Sequence, residues 1–304
     1  MLHDAGGCPI SGTGRPGATL EIRDHRLGMP QLSPLGLSEA WLLRESGDAH
    51  WMALSRALGV APAALRDSAG NRLYAAFLAI TLSGQPLGAF VEDQHVETWH
   101  RLVDLAAPFA VSRTEVVAGG KVMLSVEMAS VFVRREAEGC NKRIQRALPA
   151  ALATAAEATV HTAAGKSAAG ALRAIHRDLK HAAVPAPAAR IDHRLCAEAD
   201  LNGAGFVYFA AFADLLRRAE CAARRGAASP AATMPFERQL AFYGNADAGE
   251  SLALHATAAS GGAQQARAIS GAGGVLAVSN LFAASSNHRR TEGAGPREAM
   301  ATPP

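Results

Sequence analysis

Thr19-Leu20-Glu21-Ile22-Arg23-Asp24-His25-Arg26-Leu27 alternates apolar and polar residues as a half-buried strand does, and Arg190-Ile191-Asp192-His193-Arg194-Leu195-Cys196 repeats the pattern in the second half of the chain. His25 and His193 hold matching places in the two stretches. The residues after each stretch are also alike. After the first, Gly28, Pro30, Pro34 and Gly36 make a loop and Ser38, behind Leu37, stands as an N-cap. Trp41, Leu42, Trp51, Met52, Leu54 and Leu58 then keep helical spacing until Gly59 stops the helix. After the second, Asp200-Leu201-Asn202-Gly203-Ala204-Gly205 is the loop, and Phe206, Phe209, Phe212, Leu215 and Leu216 mark the buried side of a helix ending near Gly226.

Strands come after each helix. In the first half they are predicted at 73–82, around 109–117 and at 122–134, where Val122-Met123-Leu124-Ser125-Val126-Glu127-Met128-Ala129-Ser130-Val131-Phe132-Val133 is the strongest strand signal in the chain. In the second half they fall at 236–242, 251–258, 266–270 and 275–282. One long helix followed by consecutive strands calls for an antiparallel sheet with the helix on one face, the α+β class. A helix as apolar as 41–58 must be wrapped by its sheet, the arrangement of a hot-dog fold, and two passes make a double hot-dog. The organisation reads as a glycine-rich leader (1–17), a first hot-dog (18–136), an alanine-rich linker (137–187), a second hot-dog (188–284) and a tail (285–304).

The 304 residues are 49% hydrophobic and 19% charged, which excludes wholesale disorder. No apolar run reaches the ~18 residues of a membrane helix, since the alanine-rich stretch at 148–164 carries Glu157 and His161. Met1-Leu2-His3-Asp4 lacks the basic start and apolar stretch of a secretory signal, so a soluble, cytoplasmic protein with no membrane partner is expected. A net charge of +3 is too mild for nucleic acid. Cys8, Cys140, Cys196 and Cys221 are scattered, without metal-ligand spacing, and read as reduced thiols.

Both loops lead glycine-rich backbone into a helix start, where unpaired N–H groups and the positive end of the dipole suit a thioester oxygen. The candidates are Gly36, Leu37 and Ser38 in the first half and Asn202, Gly203 and Ala204 in the second. Tyr74 opens a strand, Tyr208 lies at the second helix and Tyr243 ends a strand before Gly244-Asn245. Any of the three can be an amphipathic packing residue, and a phenol needs activation before it attacks at neutral pH. His25, His50, His95, His100 and His193 show no metal-ligand spacing and read as structural or surface residues. Arg134, Arg135, Lys142, Arg143 and Arg146 form a basic run after the strongest strand, either a solvated face or a receiver for a phosphate or an acidic carrier protein.

The block Gly28-Met29-Pro30-Gln31-Leu32-Ser33-Pro34-Leu35-Gly36-Leu37-Ser38-Glu39-Ala40-Trp41-Leu42-Leu43-Arg44-Glu45-Ser46-Gly47-Asp48-Ala49-His50-Trp51 resembles the bifunctional acyltransferase/decarboxylase family of the leinamycin polyketide pathway. The resemblance continues through Arg72-Leu73-Tyr74-Ala75-Ala76-Phe77, Ser130-Val131-Phe132-Val133-Arg134-Arg135-Glu136, Asp200-Leu201-Asn202-Gly203-Ala204-Gly205-Phe206-Val207-Tyr208-Phe209 and Phe242-Tyr243-Gly244-Asn245, spanning about residues 20–282. The first block is specific, while the second-half motifs are shared with hot-dog thioesterases. The resemblance implies an enzyme that takes methylmalonyl-CoA, moves the acyl group to the phosphopantetheine of an acyl carrier protein and decarboxylates it to a propionyl thioester. It implies no tightly bound cofactor, with CoA thioester as substrate. The family tyrosine, an acyl-O-tyrosine nucleophile or an acid, maps onto Tyr74. Other readings of the same fold are a thioesterase or dehydratase acting on carrier-bound acyl groups, or a non-catalytic docking module. A homodimer is compatible with all of them.

Overall fold

Ser38 and Gly59 bound the first long helix by their chemistry. In the computed structural model, which describes residues 20–154, 160–182, 186–260 and 263–283, helix α1 (Glu39–Leu58) starts where the Ser38 Oγ accepts the Trp41 N–H at 3.3 Å. Such a cap contributes about 1 kcal/mol. The helix ends at Gly59, whose φ of 65° is the left-handed conformation glycine adopts freely. The leader at 1–17 and the tail at 285–304 lie outside the described residues.

The first half contributes β1 (Glu21–Arg26), a small hairpin of β2 (Leu32–Ser33) and β3 (Gly36–Leu37), β4 (Tyr74–Gly84), β5 (His95–Ala106), β6 (Phe109–Ala118) and β7 (Lys121–Arg135). The stretch read as a linker adds β8 (Ile144–Arg146), α2 (Ala150–Thr154), β9 (Val160–His161) and α3 (Ala163–His181). The second half holds β10 (Ala189–Arg194), α4 (Ala197–Asp200), α5 (Phe209–Ala223), α6 (Pro230–Thr233), β11 (Phe236–Phe242), β12 (Ser251–Ala256), β13 (Ala263–Ser270) and β14 (Val275–Ala283). Strand β5 was not among the expected strands. Helix α5 starts at Phe209, so Phe206 belongs to the loop before it and Tyr208 is the N-cap residue.

The strands form one antiparallel sheet in the order β1-β5-β6-β7-β4-β11-β14-β13-β12-β10, with β8 added to β7 and β9 to β5. Outward from the β4–β11 seam both halves run in the same sequence of strands, β4-β7-β6-β5-β1 and β11-β14-β13-β12-β10, and each half packs one long helix. This is a double hot-dog fold. Ile80, Leu82, Val126 and Met128 point toward the central helices, whereas Ala79, Val103, Val111 and Ala129 point to the opposite face. There α3 lays Ala168, Ala169 and Leu172 on them, so the alanine-rich segment is a packing layer over the outer face of the sheet. Among the described residues no helix is long and apolar enough to cross a membrane.

Buried charge ties the halves together. The Arg238 guanidinium on β11 meets Glu39 at the start of α1 (3.0 Å), Glu220 near the end of α5 (2.8 and 3.0 Å) and the Ser279 hydroxyl (2.7 Å). Burial works against its charge, yet the two carboxylates hold its pKa above the ordinary arginine value. Contact between the α1 start and the α5 end makes the two central helices antiparallel. Gly47 allows their close approach, because a Cβ there would sit 2.5 Å from the Phe209 ring.

Candidate active site

The seam between the half-sheets is closed at one end and open at the other. The β4–β11 ladder runs from Gly84↔Phe236 to Ala79↔Ala241 and stops, whereas β4 stays paired with β7 down to Tyr74↔Val133. Residues 74–78 therefore have a strand neighbour on one side only. Tyr74, Ala75, Ala76 and Phe77 are half-buried in the middle of a sheet whose next residues, Ala79 and Ile80, are fully buried. The loops before α5 and after β11 flank this unpaired edge, with the Phe206 and Phe209 rings against Tyr74 and Phe77.

Side-chain amides hold those loops in place. The Asn202 Oδ1 accepts the N–H groups of Ala204 (3.0 Å) and Phe206 (3.2 Å), closing a turn that Gly205 completes with φ 75°. The Asn245 Oδ1 accepts the Val207 N–H at 2.9 Å. Asn141, buried, donates to the carbonyls of Gly205 (2.6 Å) and Ala246 (2.9 Å) and so clamps one loop to the other. Its Oδ1 accepts from Arg135 Nε (2.9 Å) and Nη2 (2.8 Å), which fixes the guanidinium against the Phe206 ring, 3.9 Å from the centroid. Phe206 in turn meets Tyr74 edge to face, with centroids 5.1 Å apart.

Tyr74, Arg135, Asn202 and Gly203 are thus brought together at the open end. The Tyr74 hydroxyl has no hydrogen-bond partner among the described residues. The Asn202 carboxamide is spent on its own turn, while the Gly203 N–H has no partner among them and is exposed. Gly36, Leu37 and Ser38 do not join this group. They lie beyond the other end of β4, whose 11 residues extend roughly 33 Å. There the Ser38 N–H bonds the Gln31 carbonyl at 2.8 Å, Leu37 is buried, and a Cβ at Gly36 would stand 2.0 Å from the Leu87 carbonyl oxygen. Antiparallel helices put the two helix starts at opposite ends, so amides at 36–38 and the Tyr74 oxygen cannot serve one reaction centre.

Arg134 faces Asp67 at 3.7 Å, and Arg143 and Arg146 are exposed at and beside β8, the strand paired with the Tyr74 neighbour Val133. The other tyrosines are occupied or deeply set. Burial pushes the Tyr208 phenol up to about 12. Tyr243 donates to the His176 carbonyl at 2.8 Å, and burial raises its pKa further.

The first-half interior departs from the apolar helix expected. Glu39, Ser46 and His50 are among the buried residues of α1, and Met52 is exposed. His50 bonds Ser112 (2.7 Å) and Ser130 (2.8 Å), and burial pushes it down to about 3, so the ring is neutral. Nearer the edge, His100 at 3.7 Å and the Arg23 guanidinium at 2.8 Å hold Glu45 down to about 2, with His25 and His100 both on the Thr98 hydroxyl. On the outermost strand of the other half, His193 pairs with Asp200 at 2.9 Å. Among the described residues no group of three or more His, Cys, Asp or Glu is placed to hold a metal ion.

Sequence reasoning missed Asn141 and Arg72. Asn141 carries no local signal, because the carbonyls it clamps, Gly205 and Ala246, lie more than sixty positions away. Arg72 had one: it stands two residues before Tyr74, on the same side of an extended chain.

No protein-family model and no curated protein sequence matches the chain. Solved structures do. The 12:0-ACP thioesterase from Umbellularia californica is similar with a TM-score of 0.63 and 11% identity, over 86% of this chain and 96% of its own. An acyl-ACP thioesterase from Bacteroides thetaiotaomicron VPI-5482 gives 0.58 and 10% identity, over 86% and 97%. At such identities the fold is what is shared, and it is shared over nearly the whole length of those proteins.

Proposed function

We propose that the chain acts on acyl thioesters borne by a carrier protein, as an acyltransferase/decarboxylase that converts methylmalonyl-CoA to a propionyl thioester. The observation that carries this reading is the Tyr74 phenol beside the unpaired edge of β4, without a hydrogen-bond partner among the described residues. Neighbours described as acyl-ACP thioesterases support the substrate class, and the sequence blocks around Trp41 and Tyr74 support the finer activity.

In the transfer, the Tyr74 oxygen attacks the thioester carbonyl and the C–S bond breaks. The phenolic proton goes to the departing CoA sulfur, leaving an acyl-O-tyrosine. The carrier thiol then attacks that ester, its proton returning to the Tyr74 oxygen. In the decarboxylation, the bond to the carboxylate breaks and its electron pair moves into a thioester enolate, which takes a proton at the α-carbon. If Tyr74 is the acid instead, it supplies that proton. Negative charge grows on the thioester oxygen, and the exposed Gly203 N–H is the backbone donor suited to it.

Hydrolysis is the second reading, favoured by the Asp200–His193 pair as a base for water. It ranks lower because the Asp200 carboxylate also holds the Cys196 N–H at 2.8 Å and because His193 is on the outermost strand. Incubation with methylmalonyl-CoA and holo acyl carrier protein, read by intact mass, decides. Propionyl carrier supports the proposal, free acid supports the thioesterase, and an unaltered carrier with unaltered CoA ester leaves a docking module.

A further inference from the structure

Two guanidinium groups lie against one phenol ring. The Arg72 Cζ lies 5.2 Å from the Tyr74 centroid and the Arg135 Cζ 5.5 Å from it. Arg135 is half-buried and immobilised by Asn141, Phe206 and the Ala204 carbonyl, and its Nη1 bonds no described residue. The Arg72 guanidinium makes no hydrogen bond or ion pair to any described residue. Arg23, Arg101, Arg113, Arg134 and Arg238 each face a carboxylate, whereas this pair shares one aromatic ring without an ion pair to any described residue. Two like charges against the same ring, one of them partly withdrawn from water, are unfavourable by themselves and become favourable with an anion that both can reach. The planar fork of arginine matches a carboxylate or a phosphate.

We propose that Arg72 and Arg135 together bind an oxyanion of the ligand beside Tyr74. The choice of ligand rests on the acyl-thioester reading above, and two groups on such a substrate have this chemistry: a carboxylate on the acyl group and the phosphate of CoA or phosphopantetheine. They have different consequences. The full pantetheine arm separates phosphate from thioester, so only a bound acyl carboxylate leaves the thioester carbonyl within reach of the Tyr74 oxygen. In either case Arg72, exposed and otherwise unengaged, is the recognition residue, and Arg135 is the fixed member of the pair.

The test is phenylglyoxal modification of the intact protein, with the rate at Arg72 followed by peptide mass. Three probes are compared: methylmalonyl-pantetheine, which carries only the carboxylate; propionyl-CoA, which carries only phosphates; and propionyl-pantetheine, which carries neither. Slowing of about fivefold or more by the first assigns the carboxylate, and by the second the phosphate, while the third leaves the rate unchanged. Equal rates under all three, or equal protection by propionyl-pantetheine, overturn the proposal. Arg72→Gln should raise the Kd of the protecting probe about tenfold with an unaltered melting temperature. An unaltered Kd also overturns it. Carrier acylation separates this inference from the function it rests on: turnover without protection removes the anion site alone, and protection without acyl transfer removes the transferase alone.

Discussion

Replacing Tyr74 with Phe removes one oxygen and leaves the ring where it is. The contact with Phe206 at 5.1 Å and the guanidinium groups at 5.2 and 5.5 Å are properties of the ring, which Phe keeps. An intramolecular hydrogen bond is worth about 1 kcal/mol, and the Tyr74 hydroxyl makes none to a described residue, so the change in stability should stay within ~0.5 kcal/mol. For a chain of this size that is a melting shift of about 1–2 °C. Tyr243→Phe is the matched control. It loses the bond to the His176 carbonyl at 2.8 Å and should cost about 1 kcal/mol, or ~2–4 °C, with acyl transfer intact. Catalysis should show the reverse order: without its nucleophile or acid, the Tyr74→Phe protein should acylate carrier at least ~10²-fold more slowly. Differential scanning fluorimetry and intact mass of the carrier read both quantities. Wild-type turnover by Tyr74→Phe with unchanged melting would remove Tyr74 from the mechanism, and a drop of many degrees would show that its hydroxyl is a structural partner.

Arg238→Met leaves Glu39 and Glu220 buried without their cation and should destabilise by about 3–5 kcal/mol in denaturant unfolding, a loss that Glu39→Gln combined with Glu220→Gln partly restores. His50 is held near 3 in the fold against about 6.5 in the unfolded chain, so below pH ~6.5 only the unfolded chain gains its proton and stability falls by about 1.4 kcal/mol per pH unit. Urea unfolding at pH 7 and 5 should show that slope in the wild type and a shallower one in His50→Gln. Gly36→Ala places a Cβ 2.0 Å from the Leu87 carbonyl oxygen at φ 99° and should cost at least ~2 kcal/mol, while the folded fraction keeps its rate per molecule. Charge reversal of exposed Arg143 with Arg146 should lower the second-order rate with acidic carrier several-fold at low salt and little at saturation, the wild type losing the same advantage as salt brings the Debye length to ~8 Å. A low-salt rate equal to wild type would make that run a solvated face.

Elements governed by local chemistry were readable. Ser38 and Gly59 set α1, and β11 runs from Phe236 to Phe242 as its alternation requires. Strand β5 was not, because its helix-facing residues include Thr98 and His100, which bond Thr114 and one another and so replace the apolar half of a strand pattern with a polar one. The alanine-rich segment gave composition without a partner; its role depends on Ala79, Val103, Val111 and Ala129, distant in sequence. For the candidate site, Tyr74 and the 200–205 loop were legible separately. Their meeting was not, since it depends on where the β4–β11 ladder stops. The same long-range geometry separates Gly36–Ser38 from Tyr74, although both loops look equivalent in sequence.

Two fused copies of one motif would offer two related reaction chambers, one at each end of the seam, yet here the ends have diverged. At the end opposite Tyr74, Leu87 and Gly88 are wedged between Gly36 and the Ala232 carbonyl, and a Cβ at Gly88 would come within 2.5 Å of that oxygen. No thioester fits between backbones so close. Under the proposed transfer, active-site titration should therefore register one equivalent of acyl per chain, because the end opposite Tyr74 is filled by backbone.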